Sequence, residues 1–585
     1  MASTFMEKWT DELTRSDRLW ERAGITSSDG RLGEESRKMV SAYNTTTWMD
    51  DLAGIPLEAL REVPIIFNET KTARAQLYAR HPIVDVFATD RETAGNARRM
   101  ERFVNHTLRK RDLGIKRQWN RSLLAGLMLP GGGFLRHGFT PEEEVFDDAG
   151  KRIERYMPAK SNFPWMRSLP PWAIRIDPLA ETFDPRGDVR WVAFLNLRTM
   201  DEIRRNPNMK ARKDLRPTRT VDFGTGDGEV EVVESWVVFE NMERTWFEIS
   251  PKGSDKPLRT QEGWPIPWPT LPYNHLGFHE NLDSPFPIPP ARPLTHVAYE
   301  MNVLRTMMAE FVKRQRRIIA VAVDKLNDDD EARLFSGDGP DMMELLRFEG
   351  EGVGDAIKEV NAGGFDQTLI AWEGVLRQES RETMGQSLMD RGQRINVESA
   401  SEAEGVKTGS ELQRGVLAGP WEDFMSDSVA TWATALQTPD VLTDEITIPV
   451  LGSADARDLF RGTEGELGFS PFDTSDPKEI RGEFLYEVRP GSTAPRDPAE
   501  EIQRRIAWLS VAKEHPQLVA LDQAVLELAI DMDLDPTKAL QSPEEIKAVQ
   551  QGLQQNGPGP TGEQTGTGGG TSPDVFPSLN GSGGQ

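Results

Sequence analysis

The chain has 585 residues, with 94 Asp and Glu against 69 Lys and Arg and a formal net charge of -25. That length exceeds one ordinary core and predicts roughly two to four domains, while the acidic balance excludes a surface that wraps nucleic acid throughout, because phosphate binding is driven by neutralisation with Lys and Arg. With no cysteine in the sequence, disulfides, thiolate zinc sites, iron–sulfur clusters and cysteine nucleophiles are excluded together.

The N-terminal stretch MASTFMEKWTDEL has neither a basic n-region nor an apolar h-region. The longest apolar run, Ile318 to Val323, is far short of the ~20 residues of a membrane helix. The expectation is a soluble chain made in the cytoplasm, with no membrane partner. Residues 1–165 read mostly helical. The stretch from Arg91 to Leu127 is rich in helix formers, with a break at Asp112–Gly114 and a stop at Pro130–Gly133. From Trp172 the pattern changes to AIRIDP (173–178), VRWVAFLNL (189–197), EVEVVESWVVFE (229–240) and RTWFEI (244–249). These runs of Val, Ile, Phe and Trp between Gly, Asp and Pro clusters predict an antiparallel sheet.

WPIPWP (264–269) and SPFPIPPARP (284–293) are too proline-dense for helix or central strand and mark a boundary. A helix then starts near Leu294, with Val297, Ala298, Met301, Leu304, Met308 and Phe311 spaced by three and four. At its end stand Lys313, Arg314, Arg316 and Arg317, where cations complement the helix dipole. Residues 318–365 form a small unit: a strand IIAVAV, an acidic segment LNDDDEARLFSGDGPDMMELL and Gly-rich turns. A second helix is expected over 367–389, a polar loop over 390–405, and a third, long helix to about residue 437. On one broad face of the third helix lie Leu412, Val416, Leu417, Trp421, Phe424, Val429, Trp432 and Leu436, with Pro420 inside to kink it. EITIPVL (445–451) and GEFLYEV (482–488) read as strands, and two or three helices fill 497–551. The Gly/Ser/Thr/Pro-rich end from about 551 lacks the apolar content to fold alone; a disordered tail, or docking on a partner through Val575, Phe576 and Leu579, are its two readings.

No catalytic constellation emerges. Gly224, Gly226 and Gly228 lie between predicted strands, with no helix after them to present its N-terminus to phosphate, so they read as a hairpin turn. Asp531, Asp533 and Asp535 open like a calcium loop, but Pro536 stands at the glycine position and Ser542 at the bidentate Glu position. His275 and His279 are four apart, but Pro272 and Gly277 argue against a helix that would pair them as ligands. The clustered Asp328, Asp329, Asp330 and Glu331 are adjacent in sequence and point in different directions, so a solvated acidic face is expected rather than a two-metal site. No enzyme, metal or cofactor is expected.

From Pro285 onward the order of parts is a Pro-rich approach, helix, small acidic unit, helix, polar loop and long kinked helix. It resembles the portal, or head-to-tail connector, proteins of tailed bacteriophages. FPIPPARPLTHVAYEMNVLRTMMAEFVKRQRR, with Glu300 and Asn302, is similar to the first stem helix, and ESASEAEGVKTGSELQR (398–414) to the tunnel loop running into the kinked helix. GEFLYEVRPGSTAPRDPAEEIQRR (482–505) is similar to the strand and turn leading to the crown, and ARRMERFVNHTLRKRDL and LPGGGFLRHGF to the early wing helices and hairpin. The resemblance covers 80–550. The long Trp- and Pro-rich region 140–280 departs from smaller portals.

The resemblance implies an α+β, mainly helical portal fold assembling as a ring of about twelve subunits. Its parts are a wing over 1–283, helical first and antiparallel β from about 172; Pro-rich approach and first stem helix, 284–317; clip, 318–365; second stem helix, 366–389; tunnel loop, 390–405; kinked helix, 406–438; wing return strands, 439–496; crown, 497–550; and tail, 551–585. It further implies a virion protein at one capsid vertex, assembled in the host cytoplasm. Double-stranded DNA passes its channel without sequence readout during packaging and ejection. The implied partners are the terminase large subunit, which supplies ATP hydrolysis, head–tail adaptor and tail proteins, and major capsid and scaffolding proteins. Arg391, Arg394, Glu398, Glu402 and Glu404 fall in the tunnel loop; Lys313, Arg314, Arg316 and Arg317 become a basic collar; Asp328 to Glu331 become an acidic clip surface.

Residues 291–317 hold six Lys and Arg against two Glu, and 324–355 eleven Asp and Glu against three Lys and Arg. A ring multiplies each into a band: an acidic wall repels phosphate, while a basic one holds or guides it. For the collar, solvated cations, ion pairs to a neighbour's acidic unit, and DNA contact all stay open. The rivals from other classes are a metal-dependent DNA-processing enzyme and a capsid-associated structural or scaffolding protein without a channel.

Overall fold

Helices dominate the first part of the chain: α1 (Ala2–Arg22), α2 (Glu34–Tyr43), α3 (Ile65–Leu77), α4 (Ala94–Arg109) and α5 (Ile115–Met128). Later come the short α6 (Met200–Arg205), α7 (Leu294–Arg314), α8 (Gln367–Thr383) and the 37-residue α9 (Ala400–Leu436). The structure, a computed structural model, describes residues 2–27, 32–46, 61–109, 113–138, 164–210, 214–222, 229–314, 317–322, 343–348, 357–360, 367–386, 400–438, 446–449, 472–475, 480–494, 506–508 and 510. The chain divides into two compact units. The first is Met1–Pro449 with Phe472–Pro495, the second Val450–Pro471 with Arg496–Gln585. Of the second unit, residues 506–508 are helical, with Ile506 and Trp508 exposed. The first unit is a mixed α+β body with several antiparallel sheets.

Its largest sheet runs β4 (Ile174–Ile176), β5 (Trp191–Thr199), β7 (Glu229–Glu240), β8 (Thr245–Ile249) and β9 (Arg259–Gly263), with β6 (Arg219–Asp222) also on β7, antiparallel throughout. Its apolar runs are continuous because both faces are covered. Side chains alternate across a strand, so Trp191 and Ala193 of β5, with Val238, Phe247 and Ile249, meet Met6, Trp9 and Leu13 of α1. Val192 and Phe194, with Val237, Phe239 and Trp246, join the main core on the other face. Helix α1 is tied on by polar contacts as well. Ser16 Oγ donates to the Ile176 carbonyl at 2.8 Å, and the buried Arg175 pairs with Asp17 between the Trp20 and Trp236 rings. Burial pulls the Arg175 pKa down, opposed by Asp17. On the same sheet Glu248 is buried against Arg198 and Ser235; desolvation alone would raise its pKa, but Arg198, the Ser235 hydroxyl and Arg259 outweigh it and hold it below the usual carboxylate value. Strands β6 and β7 pair from Asp222↔Glu229 onward; the turn read at Gly224, Gly226 and Gly228 lies outside the described residues.

A second antiparallel sheet orders β10 (Tyr273–Leu276), β2 (Gly133–Gly138) and β3 (Trp165–Leu169). The chain leaves α5 through Gly131 and Gly132, at φ +95° and +81°, and a Cβ on Gly132 would stand 2.3 Å from the Leu276 carbonyl oxygen, so this turn requires glycine. In this sheet His137 is fully buried, its Nε2 2.5 Å from Asn274 Oδ1 and its Nδ1 without a hydrogen-bond partner. His275 is half-buried, stacked on Phe134 at 4.7 Å, with Nε2 2.8 Å from the Gly131 carbonyl. Desolvation lowers both imidazoles to about 4. Strand β1 (Val84–Ala88) pairs antiparallel with β16 (Phe484–Val488), and β14 (Ile446–Pro449) with β15 (Phe472–Ser475). A three-stranded sheet follows α7: β11 (Arg317–Ala322) lies between β12 (Met343–Phe348), parallel to it, and β13 (Ile357–Val360), antiparallel.

Among the described residues up to 138 helices predominate, as expected, with VDVFA and GFLRHG as strands. Three expectations need correction. MELLRF, whose first four residues were read as the end of an acidic segment, is β12; its Leu345, Leu346 and Phe348 stand in register with Ile319, Ala320 and Ala322 of β11. The polar loop of 390–405 is too long at its end. Helix α9 already begins at Ala400, so Glu402 and Glu404 are helical residues. Lastly, Leu412 and Val416 do not share the apolar face of α9: they are 72% and 59% exposed. At 3.6 residues per turn Leu412 stands about 180° around the helix from Trp421.

Candidate functional site

Helices α7 and α8 pack on each other and bracket the three-stranded sheet in the chain. The buried stripe of α7 is the one its spacing predicts: Leu294, Val297, Ala298, Met301, Leu304 and Met308 are buried. Asn302, of the Glu300/Asn302 pair, serves the fold: its side chain is buried, and Oδ1 accepts from the Val63 amide at 2.8 Å. One turn on, Thr306 Oγ1 accepts from the Arg61 amide at 3.0 Å and donates to the Asn302 carbonyl at 2.7 Å. Glu300 is exposed. Between the helices, Arg305 of α7 and Arg377 of α8 share Glu373, the latter at 2.9 Å. At the far end of α8, Ser380 Oγ donates to Glu69 Oε1 of α3 and Gln386 Nε2 to the Glu69 carbonyl.

Helix α9 is anchored beyond Pro420, which lies within it. Trp421, Phe424, Met425, Val429, Trp432 and Leu436 are buried. Trp119 Nε1 donates to Ser428 Oγ at 3.0 Å and Trp432 Nε1 to the Pro164 carbonyl at 3.0 Å. The β16 segment binds the same half: the Val488 amide donates to Ser426 Oγ at 2.9 Å and the Gly491 amide to Glu422 Oε1 at 2.7 Å. Burial raises the pKa of Glu422, and that of Asp427, which pairs with Arg186. Before Pro420, Leu412 and Val416 reach solvent, and a Cβ on Gly415 or Gly419 would meet nothing within 4 Å.

Of the sequence-predicted site residues, Lys313 and Arg314 end α7 and Arg317 opens β11. Glu402 and Glu404 lie near the start of α9. The readings for Arg316, Asp328, Asp329, Asp330, Glu331, Arg391, Arg394, Glu398, Asp531, Asp533 and Asp535, and for the tail, fall outside the described residues. His275 lies on β10 and the exposed His279 beyond it, so no helix pairs them. Among the described residues no group of three His, Asp or Glu is placed to hold a metal ion, and no helix is long and apolar enough to cross a membrane.

Sequence reasoning missed the outer surface of α8. Ile370, Trp372 and Val375 are 57%, 50% and 50% exposed, while its buried residues are Leu376 and Ser380, with Leu369 partly covered. The signal was available: these apolar residues are too widely spread around the helix for one core-facing stripe.

No protein-family model matches the sequence, and no curated protein is similar to it. Among solved structures, one of the virion of a native gene transfer agent particle is similar over 68% of this chain and 86% of that chain, at 10% identity and a TM-score of 0.33. At that TM-score the likeness decides neither fold nor role.

Proposed function

We propose that the chain is a portal-type virion protein: a ring-forming, non-enzymatic subunit whose channel passes double-stranded DNA into and out of a capsid. The observation that carries this reading is the order α7, three-stranded sheet, α8, then the 37-residue α9 with Pro420 inside it and β16 returning to bind its second half. In it, α7 and α8 are the stem pair, the sheet is the clip, and α9 is the kinked helix that follows the tunnel loop. The exposed apolar residues on α8 and α9 fit a subunit whose surface is completed by neighbours.

In such a ring the acidic stretch 324–355 repels phosphate while the cations at the end of α7 guide DNA or pair with a neighbour. The clip docks a terminase motor during packaging and head–tail adaptors afterwards, and capsid and scaffolding proteins surround the rest. The test is the mass of the purified full chain by native mass spectrometry with negative-stain class averages. A closed ring with a central hole is expected, and a monomer at all concentrations overturns the proposal. Replacing Lys313, Arg314, Arg316 and Arg317 together with Gln then disturbs DNA packaging or ring assembly more than subunit folding. Normal assembly with normal DNA content removes the collar from the mechanism.

A further inference from the structure

The outer surface of α8 is divided by charge. Its inward stripe consists of Leu369, Glu373, Leu376 and Ser380. Taking 3.6 residues per turn, Ile370, Arg377 and Arg381 lie about 70–110° to one side of that stripe. Trp372, Val375, Glu379 and Glu382 lie about 70–150° to the other. One flank thus joins an exposed apolar side chain to two cations, with Arg305 of α7 beside them at Glu373. The opposite flank joins two exposed apolar side chains to two carboxylates. Gly374, where a Cβ would meet nothing within 4 Å, leaves a hollow next to Ile370.

Ile370, Trp372 and Val375 are exposed within two turns of one helix, and grouped apolar surface of this kind, with its charges sorted by flank, marks association. Both features follow if the two flanks meet each other on successive copies. We infer that α8 is a head-to-tail self-association element: the Ile370/Arg377/Arg381 flank of one subunit seats against the Trp372/Val375/Glu379/Glu382 flank of the next. Because the two flanks are different surfaces, the contact is heterologous, so it repeats from copy to copy rather than stopping at a dimer, and closes a ring where the rotation between copies closes. Apolar contact supplies attraction, and the opposite charges fix the orientation, since like flanks repel. The inference rests on the ring reading above and names the surfaces that build the ring.

Two single variants of the full chain test it, Ile370→Asp on one flank and Trp372→Arg on the other. Both positions are solvent-exposed, so the far-UV circular dichroism of each variant matches wild type. Each variant alone loses the ring and sediments as a monomer. An equimolar mixture gives a heterodimer and nothing larger, because each partner retains one intact and complementary flank. Rings of wild-type mass from both variants, or a mixture that stays monomeric, overturn the α8 contact while leaving the ring proposal standing. A wild-type chain that is itself monomeric overturns both.

Discussion

Acidification from pH 7.5 to 5 destabilises the first unit through His137. Its neutral imidazole donates Nε2–H to Asn274 Oδ1, and Nδ1 is buried without a partner. A second proton would add a donor and a charge where neither is solvated. The folded pKa is depressed to about 4, against about 6.5 in an unfolded chain. Between those values the unfolded state binds more protons, so stability rises with pH and falls as pH drops from 6.5 towards 4. At pH 5 the linkage amounts to about 2 kcal/mol, and at pH 7.5 to less than about 0.1 kcal/mol. His275, likewise lowered to about 4 by burial, acts in the same direction. Glu101, Glu422 and Asp427, whose pKa values are raised by burial, contribute with the opposite sign. Comparison of wild type with His137→Gln cancels them. In urea titrations followed by tryptophan fluorescence, with m near 3 kcal/mol/M, the gap between wild type and variant shrinks by about 0.7 M between pH 7.5 and 5. A gap that stays constant over this range refutes the assignment of the proton to His137.

Three further outcomes follow from described contacts. Ser428→Ala leaves the buried Trp119 indole N–H without its acceptor and costs about 1–3 kcal/mol in the same urea titration. Glu248→Gln removes the buried carboxylate that pairs with Arg198 and faces Arg259 and costs about 3–5 kcal/mol. The depressed pKa of Glu248 makes its own contribution full above the unfolded carboxylate value of about 4.3 and lost as pH falls below it, outside the histidine window. Gly415→Ala adds a methyl to open space within α9 and stabilises that helix by about 0.5–1 kcal/mol, read as slower amide exchange around position 415.

Where local pattern and tertiary demand coincide, the sequence was readable. The strand expected over EVEVVESWVVFE is β7 residue for residue, and the three-and-four spacing from Leu294 is the buried stripe of α7. The candidate site was legible as an order of elements rather than as chemistry. What escaped was set by partners distant in sequence. FDTS has no apolar alternation and is a strand because ITIP pairs with it, while VDVFA is completed by FLYEV. The apolar residues of α9 were assigned to one face although Leu412 lies half a turn from Trp421. On α8, only a helix was expected, and a single chain gives no view of what neighbours its exposed Ile370, Trp372 and Val375.

The pairing of β1 with β16 also bears on how the chain is made. Asp85 and Arg489 are 404 residues apart, so at about 5–20 residues per second a ribosome takes about 20–80 s to emit the second strand after the first. Until then β1 has an open edge, and the Ser426 and Glu422 side chains of α9 lack the backbone amides they accept from. A chain truncated before Val488 therefore carries an unpaired strand and an incompletely fastened α9, which marks it for proteolysis ahead of any full-length sibling.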